Sequence, residues 1–377
     1  MSNVNHHRVF PTNTNSQYTQ LNNIDFELSF PMRKMIANSV RLEGKVRFNQ
    51  TGNVQVGRND EVSYDFMIGA NALFQDIQTQ STNQGNIELI TELPRYTKMV
   101  ATAMSSEDDM SNISNLCELK CQNYTVSTDV MRGNANGQLA IADPNVNGPI
   151  SFSVKPIFAL NQVSNPSGGD VHVRHATTGD IRISVRLARD VAVIWGATTG
   201  ANYAVSDLSL TFLSVEDDGK QSPLTVRTKL NISQSIQSSF ANVSVNVPSL
   251  SNGVSCSFLR QDKENTYDYN NTELDRPPNV NNIEFLFNDQ TNKYVTFKLD
   301  TQEQFIDSYL LSIRNQNEGN TFSLSNIRAN TAYGQGINFN QLLDLSKNRF
   351  GINLSSAISN IQPYLIYMYF HGFVTLA

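Results

Sequence analysis

The sequence predicts an all-β protein that folds as two tandem β-sandwiches with a few short helices in its loops. Alternation of apolar and polar residues, which is typical of strands, recurs along much of the chain. A polar turn over residues 216–223 contains Asp-Gly and Pro and separates two such alternating segments. The length of 377 residues exceeds the ~250 to 300 residues at which one hydrophobic core usually stops growing. Two cores are therefore expected.

The first predicted sandwich spans residues 23–217. Residues 1–22 precede it and lack hydrophobic periodicity, so we expect a flexible N-terminal arm. Gly44 interrupts one apolar row and predicts a bulge. A helix is expected behind Pro94, because the apolar residues that follow it have helical spacing. The strands predicted for this half include residues 24–30, 40–48, 150–154, 181–187 and 208–215.

The second predicted sandwich spans residues 218–377. Thr301 and Gln304 have the spacing of a capping box, which predicts one or two helical turns, and residues 339–345 are expected to form another short helix. The final apolar run, residues 363–374, is too short to cross a membrane and predicts a strand buried on both faces. Further strands are expected over residues 224–232, 240–247, 254–259, 283–287, 294–299 and 310–313.

The composition argues against several classes of protein. Charged residues make up 16% of the chain against a typical ~25%, and the net charge is −6, so there is no electrostatic reason to expect direct nucleic-acid binding. No apolar run approaches the roughly 20 residues of a transmembrane helix, and no secretory segment is recognisable. Three cysteines cannot all pair, which is consistent with folding in a reducing compartment.

No complete catalytic, cofactor or metal site is found in the sequence, and we expect that the protein is not an enzyme. His172 and His175 lack the further ligands of a zinc site. Cys117 and Cys121 have helical spacing but no second pair, so two buried thiols are expected. Residues 143–148 resemble the start of a calcium loop that lacks its final Glu. The acidic run at 216–218 is interpreted as a solvated turn, and His371 as a buried core or interface residue.

Counting strands gives seven or eight per half, which suits jelly-roll or immunoglobulin-like sandwiches. Several strand sequences resemble those of double jelly-roll major capsid proteins, as found in virophages, polinton-like viruses and tailless icosahedral bacteriophages. The segments that carry this resemblance are residues 23–28, 38–46, 180–188, 203–210, 242–248 and 350–354.

The resemblance implies a homotrimer in which six similar sandwiches surround a threefold axis and form a pseudo-hexagonal capsomer. Such capsomers tile the icosahedral capsid of a virion after assembly in the host cell. Its partners would be other copies of the chain, then neighbouring capsomers, and in some viruses minor capsid, penton or membrane proteins. The N-terminal arm would face inward or reach a neighbour.

Two other functions are compatible with a tandem of sandwiches. A carbohydrate- or receptor-binding module, such as a fibre or lectin-like adhesin, would need exposed aromatic residues and carboxylates. Tyr267, Asp268 and Tyr269, in the loop over residues 260–281, are the one cluster of this kind in the sequence. A β-rich glycoside hydrolase would need two carboxylates that meet in space.

Overall fold

The computed structural model describes residues 3–49, 63–65, 67–104, 117–120, 149–165, 171–195, 200–220, 223–236, 240–247, 250–275, 280–287, 295–314, 334–347, 349–356 and 363–376. The strands of the first half are β1 (Asn5–Val9), β2 (Asn23–Leu28), β3 (Arg33–Ile36), β4 (Arg41–Asn49), β5 (Ser63–Tyr64), β6 (Phe74–Ser81), β7 (Gly85–Ile90), β8 (Ile150–Val154), β9 (Val163–Ser164), β10 (His172–Arg174), β11 (Ile181–Leu187), β12 (Ile194–Trp195) and β13 (Asn202–Glu216).

The strands of the second half are β14 (Leu224–Ile236), β15 (Phe240–Asn246), β16 (Leu250–Arg260), β17 (Val280–Phe287), β18 (Val295–Leu299), β19 (Gln335–Asp344), β20 (Arg349–Ser356) and β21 (Tyr364–Leu376). The α-helices are α1 (Leu93–Met104), α2 (His175–Thr178), α3 (Asp190–Val193) and α4 (Gln302–Arg314). Short 3-10 helices cover Gly69–Leu73, Ala159–Asn161, Gln261–Lys263 and Leu345–Lys347.

Two antiparallel sheets form the first sandwich. In sheet I, Thr211 of β13 pairs with Arg8 of β1 and with Arg41 of β4, while Ser214 pairs with both β1 and Met35 of β3. β1 therefore lies along one edge of β13, and β3 and β4 follow one another along the other edge. β8 and β10 extend the sheet beyond β4 and β3. Sheet II has the order β2-β11-β6-β7.

The second sandwich repeats this arrangement. Sheet III has the order β14-β21-β16-β19, with β9 added beside β14, and sheet IV has the order β15-β20-β17-β18. If β3 and β4 are counted as one strand, and β8 and β10 as another, the strand order is 1-8-3-6 in sheets I and III. In sheets II and IV it is 2-7-4-5. This is the jelly-roll topology, and the chain contains it twice, so the predicted fold class is confirmed. Between the fifth and sixth strands lies α1 in the first sandwich and α4 in the second.

Alternation determines which side chains enter the cores. In β11 the apolar residues are buried, while Arg182 and Arg186 between them are exposed. Aromatic residues join the sheets of each sandwich. Phe74 of sheet II meets Phe152 of sheet I with ring centroids 6.0 Å apart, and Phe350 of sheet IV meets Phe370 of sheet III at 5.0 Å.

The N-terminal segment differs from the flexible arm expected over residues 1–22. Asn5–Val9 is the first strand of the first jelly roll and pairs with β13 along its whole length. Tyr18 is buried, and its backbone exchanges hydrogen bonds with that of Val205. Because β1 is a short, largely exposed edge strand, it needs few apolar residues and shows no clear alternation. The first jelly roll thus begins before residue 23.

Three local predictions are also corrected. The capping box is present, because Thr301 and Gln304 exchange side-chain to backbone hydrogen bonds, but the helix continues to Arg314 and includes the strand predicted at 310–313. The helix predicted over residues 339–345 is instead most of β19, ending in a 3-10 turn. The bulge expected at Gly44 lies in the partner strand, where β13 shifts register between Ser206 and Ser209.

Candidate assembly surfaces

The central part of the outer face of sheet III, which points away from sheet IV, is buried against the first sandwich. Lys229, Tyr367, Tyr369 and His371 project from this face and are all buried. Helix α1 packs on them. The ring of Tyr96 lies 5.1 Å from that of Tyr369 and 5.9 Å from that of His371. The outer face of sheet III is therefore the main contact between the two sandwiches.

A buried carboxylate of sheet II strengthens this contact. Glu88 in β7 accepts hydrogen bonds from the backbone N–H groups of Lys229 and Ala159, at 2.8 and 2.6 Å. Burial raises the pKa of Glu88 and lowers the pKa of Lys229 to about 8, and the attraction between the two groups opposes both shifts. Glu88 therefore joins β7, the Ala159–Asn161 turn and β14.

His371 is buried in the same contact. Neither of its ring nitrogens has a hydrogen-bond partner within the part of the chain that the structure describes. Burial, with a smaller contribution from the nearby Lys229, lowers the pKa of His371 to about 3. The imidazole is consequently neutral at physiological pH, as befits an aromatic packing residue.

Helix α4 covers the rest of sheet III, where small residues permit close approach. Ser312 Oγ lies 2.9 Å from Ser255 Oγ, and Ser308 donates to the Gly336 carbonyl at 2.6 Å. A Cβ on Gly336 would lie 2.2 Å from Ser312 Oγ, so a larger residue there would displace the helix. The Tyr309 hydroxyl donates to the Met99 carbonyl at 2.8 Å and joins α4 to α1.

The segment after β16, residues 261–275, also reaches the first sandwich. The buried Asp65 carboxylate accepts hydrogen bonds from Lys98 Nζ at 2.6 Å, Asn270 Nδ2 at 2.8 Å and Thr272 Oγ1 at 2.7 Å. Burial alone would raise the pKa of Asp65, but the Lys98 ammonium and these hydrogen bonds outweigh it and lower the pKa. The segment is a second tie between the sandwiches.

The aromatic cluster required by a lectin-like function belongs to this segment. The Tyr267 hydroxyl donates to the Ala201 carbonyl at 2.7 Å, and the Tyr269 hydroxyl donates to Asp275. Asp268 is 63% exposed and pairs with Lys263 at 2.7 Å. The hydroxyl groups that would recognise a sugar are thus engaged within the protein, which removes the main support for that alternative.

The turn between the sandwiches is fixed by ion pairs. Arg174 Nε lies 2.5 Å from Asp217 Oδ2, and the Lys34 ammonium contacts Asp218 and donates to the Lys220 carbonyl at 2.8 Å. This acidic run was expected to be a solvated turn. In the structure Asp217 is mostly buried, because cations from β3 and β10 neutralise it.

Sheet I presents a different outer face. The alternation of β4 places Arg41, Glu43, Lys45 and Arg47 on it, and Arg8 of β1 is exposed beside them. The side chains of Arg41 and Lys45 are 32% and 45% exposed. The face is polar, and in the single chain it remains partly open to solvent.

The candidate metal ligands are dispersed. His175 Nε2 lies 3.0 Å from Asp180 Oδ1, an ordinary surface pair. Cys117 is exposed, contrary to the expectation of a buried thiol, whereas Cys121 and residues 143–148 lie outside the described residues. Within the described ranges, no group of three or more His, Cys, Asp and Glu side chains is placed to hold a metal ion. In that same part of the chain, no helix is long and apolar enough to span a bilayer.

Sequence reasoning missed the residues that join the sandwiches. Lys229 alternates with core residues in β14, which favoured an exposed position, and Glu88 gave no signal of burial. One signal was available. The last strand carries Tyr367, Tyr369 and His371 on the face opposite its core residues, and three aromatic rings on one strand face indicate that something covers it.

Comparison with known proteins gives similarity at the level of structure. No protein-family model and no curated protein sequence matches this chain. The quasi-atomic model of the PBCV-1 virus capsid aligns with 100% of this chain and 94% of its own, with a TM-score of 0.58 and 10% identity. The Faustovirus major capsid protein aligns over 100% and 90%, with a TM-score of 0.55 and 10% identity. The mavirus major capsid protein aligns over 98% and 89%, with a TM-score of 0.50 and 10% identity.

These alignments extend over nearly the whole of both chains, so the likeness includes both sandwiches. At 10% identity it concerns the fold. The chain has the double jelly-roll fold.

Proposed function

We propose that this chain is a major capsid protein that forms homotrimeric, pseudo-hexagonal capsomers in the shell of an icosahedral virus. The observation that carries the proposal is the duplication of one eight-strand topology in a single chain. The PBCV-1 capsid, Faustovirus and mavirus structures, which are described as capsid proteins, support it by their whole-length similarity in fold.

The contact between the sandwiches suits a structural tile. Strand β16 of sheet III is buried on both faces along most of its length, and the hydrogen bonds of Glu88 and Asp65 join distant parts of the chain. A subunit in which two similar sandwiches are held in one orientation can place six of them around a threefold axis. Closed rings of this kind arise when a head-to-tail contact repeats with a fixed rotation.

We further propose that residues 23–217 and 218–377 act as two domains, with residues 1–22 contributing the first strand of the first domain. The ion-paired turn at Asp217 and Asp218 supports a division at this point. β9 crosses it, because Val163 pairs with Val226 of sheet III. The two domains would therefore move together.

The partners of the capsomer would be its neighbours in the shell, together with minor capsid, penton or membrane proteins where the virus has them. The net charge of −6 supports a shell protein that does not package the genome by neutralising phosphates. The same proposal assigns the chain no catalytic or cofactor-dependent activity.

Size-exclusion chromatography with light scattering tests the proposal. We expect a stable trimer of three times 42.0 kDa, and negative-stain images should show particles of hexagonal outline. A monomer at high protein concentration would contradict the proposal. A monomer that also binds glycans would favour the lectin-like alternative.

A further inference from the structure

The contact inside the chain joins two unlike surfaces. The first sandwich supplies α1, the helix between its fifth and sixth strands, and the second supplies the outer face of sheet III. Each of these surfaces has a topological counterpart. The counterpart of α1 is α4, and the counterpart of the outer face of sheet III is the outer face of sheet I. One side of α4 already packs on sheet III and α1, so the surfaces left over are the outward side of α4 and the outer face of sheet I.

The outer face of sheet I carries a small excess of cations although the chain is acidic. Arg41, Lys45 and Arg47 lie along β4, and Arg8 is exposed on the adjoining part of the sheet. Glu43 lies among them and accepts hydrogen bonds from neighbouring hydroxyl groups. Glu118 and Asp207 also approach Arg41 and Lys45, at 3.9 and 2.8 Å, so these cations exceed these carboxylates by four to three, while the chain as a whole has a net charge of −6.

Helix α4 has an exposed stripe of opposite charge. Glu303, Asp307 and Leu311 are spaced four residues apart, so they lie on one side of the helix, and all three are exposed. Leu311 is 41% exposed. Among the described residues, neither Glu303 nor Asp307 has an ion-pair partner. In α1, by contrast, even the charged residues Arg95 and Lys98 are buried.

Resting on the proposed function, we propose that the outer face of sheet I binds the Glu303–Asp307–Leu311 stripe of α4 in a second copy of this chain. The contact is head-to-tail, so each copy offers the sheet face to one neighbour and the helix stripe to the other. With three copies the contact closes into a ring. Two observations select this occupant, namely the complementary charge and the repetition of the helix-on-sheet contact that the chain already makes internally.

The chemistry of the two faces sets the character of the contact. Sheet III carries Gly253, Ser255 and Ser257 on its third strand, which allow a close, dry helix contact. Sheet I carries long charged side chains at the corresponding strand, so its contact is polar. The aliphatic stems of Lys45 and Arg47 can pack against Leu311 while their charged ends meet the carboxylates. Polar and charged contacts of this kind contribute more to the correct alignment of two copies than to the affinity between them.

Charge reversal tests the proposal. The double variant R8E/K45E places carboxylates opposite the acidic stripe. The matched control R182E/R186E reverses two exposed cations on the outer face of sheet II, and both pairs of changes remove surface ion pairs. We expect the trimer dissociation constant to rise at least about 10-fold more for the first variant than for the control, because like charges meet across the contact.

The reciprocal substitutions E303K/D307K, combined with R8E/K45E, should restore the trimer. If the trimer dissociation constants of the test and control variants are equal, and the reciprocal substitutions restore nothing, the inference is overturned. The wild-type chain would still be a trimer in that case. A wild-type chain that is monomeric would instead overturn the proposed function, so the two failures are distinguishable. Circular dichroism of each variant verifies folding.

A second measurement needs no variant. A water-soluble carbodiimide activates a carboxylate, which the Lys45 amine then attacks to form an amide with loss of the urea. Lys45 Nζ lies 2.8 Å from Asp207 within the chain, so this link is the internal control. Mixed isotope-labelled and unlabelled chains should also yield a Lys45 link to Glu303 or Asp307 between copies. Formation of the Asp207 link without any link between copies would overturn the inference.

Discussion

Sheets I and III have the same strand order but opposite environments on their outer faces. In sheet III the third strand presents Ser255 and Ser257 to two helices, and both residues are fully buried. In sheet I the third strand presents Arg41 and Lys45, which remain partly exposed. The comparison shows that the strand order determines the sandwich fold. The residues on the outer face of a sheet determine whether that face packs within the chain or is available to another molecule.

The largest expected difference is between a carboxylate of sheet II that is buried against sheet III and an exposed carboxylate of sheet I. Glu88→Ala removes the acceptor of the Lys229 and Ala159 amides and leaves a buried ammonium without its counter-charge, so the free energy of unfolding should fall by about 3–5 kcal/mol. Asp207→Ala breaks the exposed pair with Lys45 and should change it by less than ~1 kcal/mol. Urea denaturation measures both. Similar losses would show that the two faces are energetically alike.

Acid should act on the sheet III contact through His371. Its pKa is about 3 in the folded protein, against about 6.5 when unfolded, so between these values only the unfolded state is protonated. Stability is therefore retained above pH ~6.5 and lost as the pH falls towards 3, by up to roughly 4 kcal/mol. His371→Gln should flatten this dependence, whereas His6→Gln, on the exposed strand β1, should not. An unchanged pH profile for His371→Gln would contradict the burial of a neutral imidazole.

Crowding the third strand should distinguish the two outer faces. Ser255→Leu forces a larger side chain against Ser312 and α4 and should destabilise the protein by about 1–3 kcal/mol. Lys45→Leu, at an exposed position of sheet I, should alter stability by no more than ~0.5 kcal/mol. Thermal unfolding of the two variants provides the comparison. Tolerance of leucine at both positions would mean that α4 does not pack closely on sheet III.

The smallest effect is expected from single hydrogen bonds. Tyr369→Phe removes the donor to the Glu92 carbonyl, a bond of 2.7 Å between the sandwiches, and should cost about 1 kcal/mol. Ser153→Ala removes the partially exposed acceptor of Arg41 on sheet I and should remain within ~0.5 kcal/mol. Equilibrium denaturation with replicate midpoints resolves this difference. The reverse ranking would indicate that sheet I carries the tighter contact.

Period-two alternation was sufficient to predict the strands with one wet face, such as β2 and β11, and the apolar last strand β21. It failed where burial does not follow a simple period. β1 is an exposed edge strand, and β19 is interrupted by Asn340, whose φ is 56°, and by a register shift against β16. In α4, Leu310 and Ile313 are buried whereas Leu311 is exposed, so the short run at 310–313 does not by itself show the helical period.

The assembly surfaces were less predictable than the fold. An outer-face lysine has the same local pattern whether it is exposed, like Lys45, or buried, like Lys229. What distinguishes them is a helix contributed by another part of the chain, and such long-range packing leaves no periodic signal. The same limit applies to Asp65, whose partners Asn270 and Thr272 lie some 200 positions away.

A cryo-electron microscopy reconstruction of the purified oligomer tests the central claim most directly. The account predicts three copies around a threefold axis, with sheet III covered by the same chain and the outer face of sheet I covered by α4 of a neighbour. A reconstruction in which the chain is solitary, or in which the outer face of sheet I faces solvent throughout the oligomer, would contradict it.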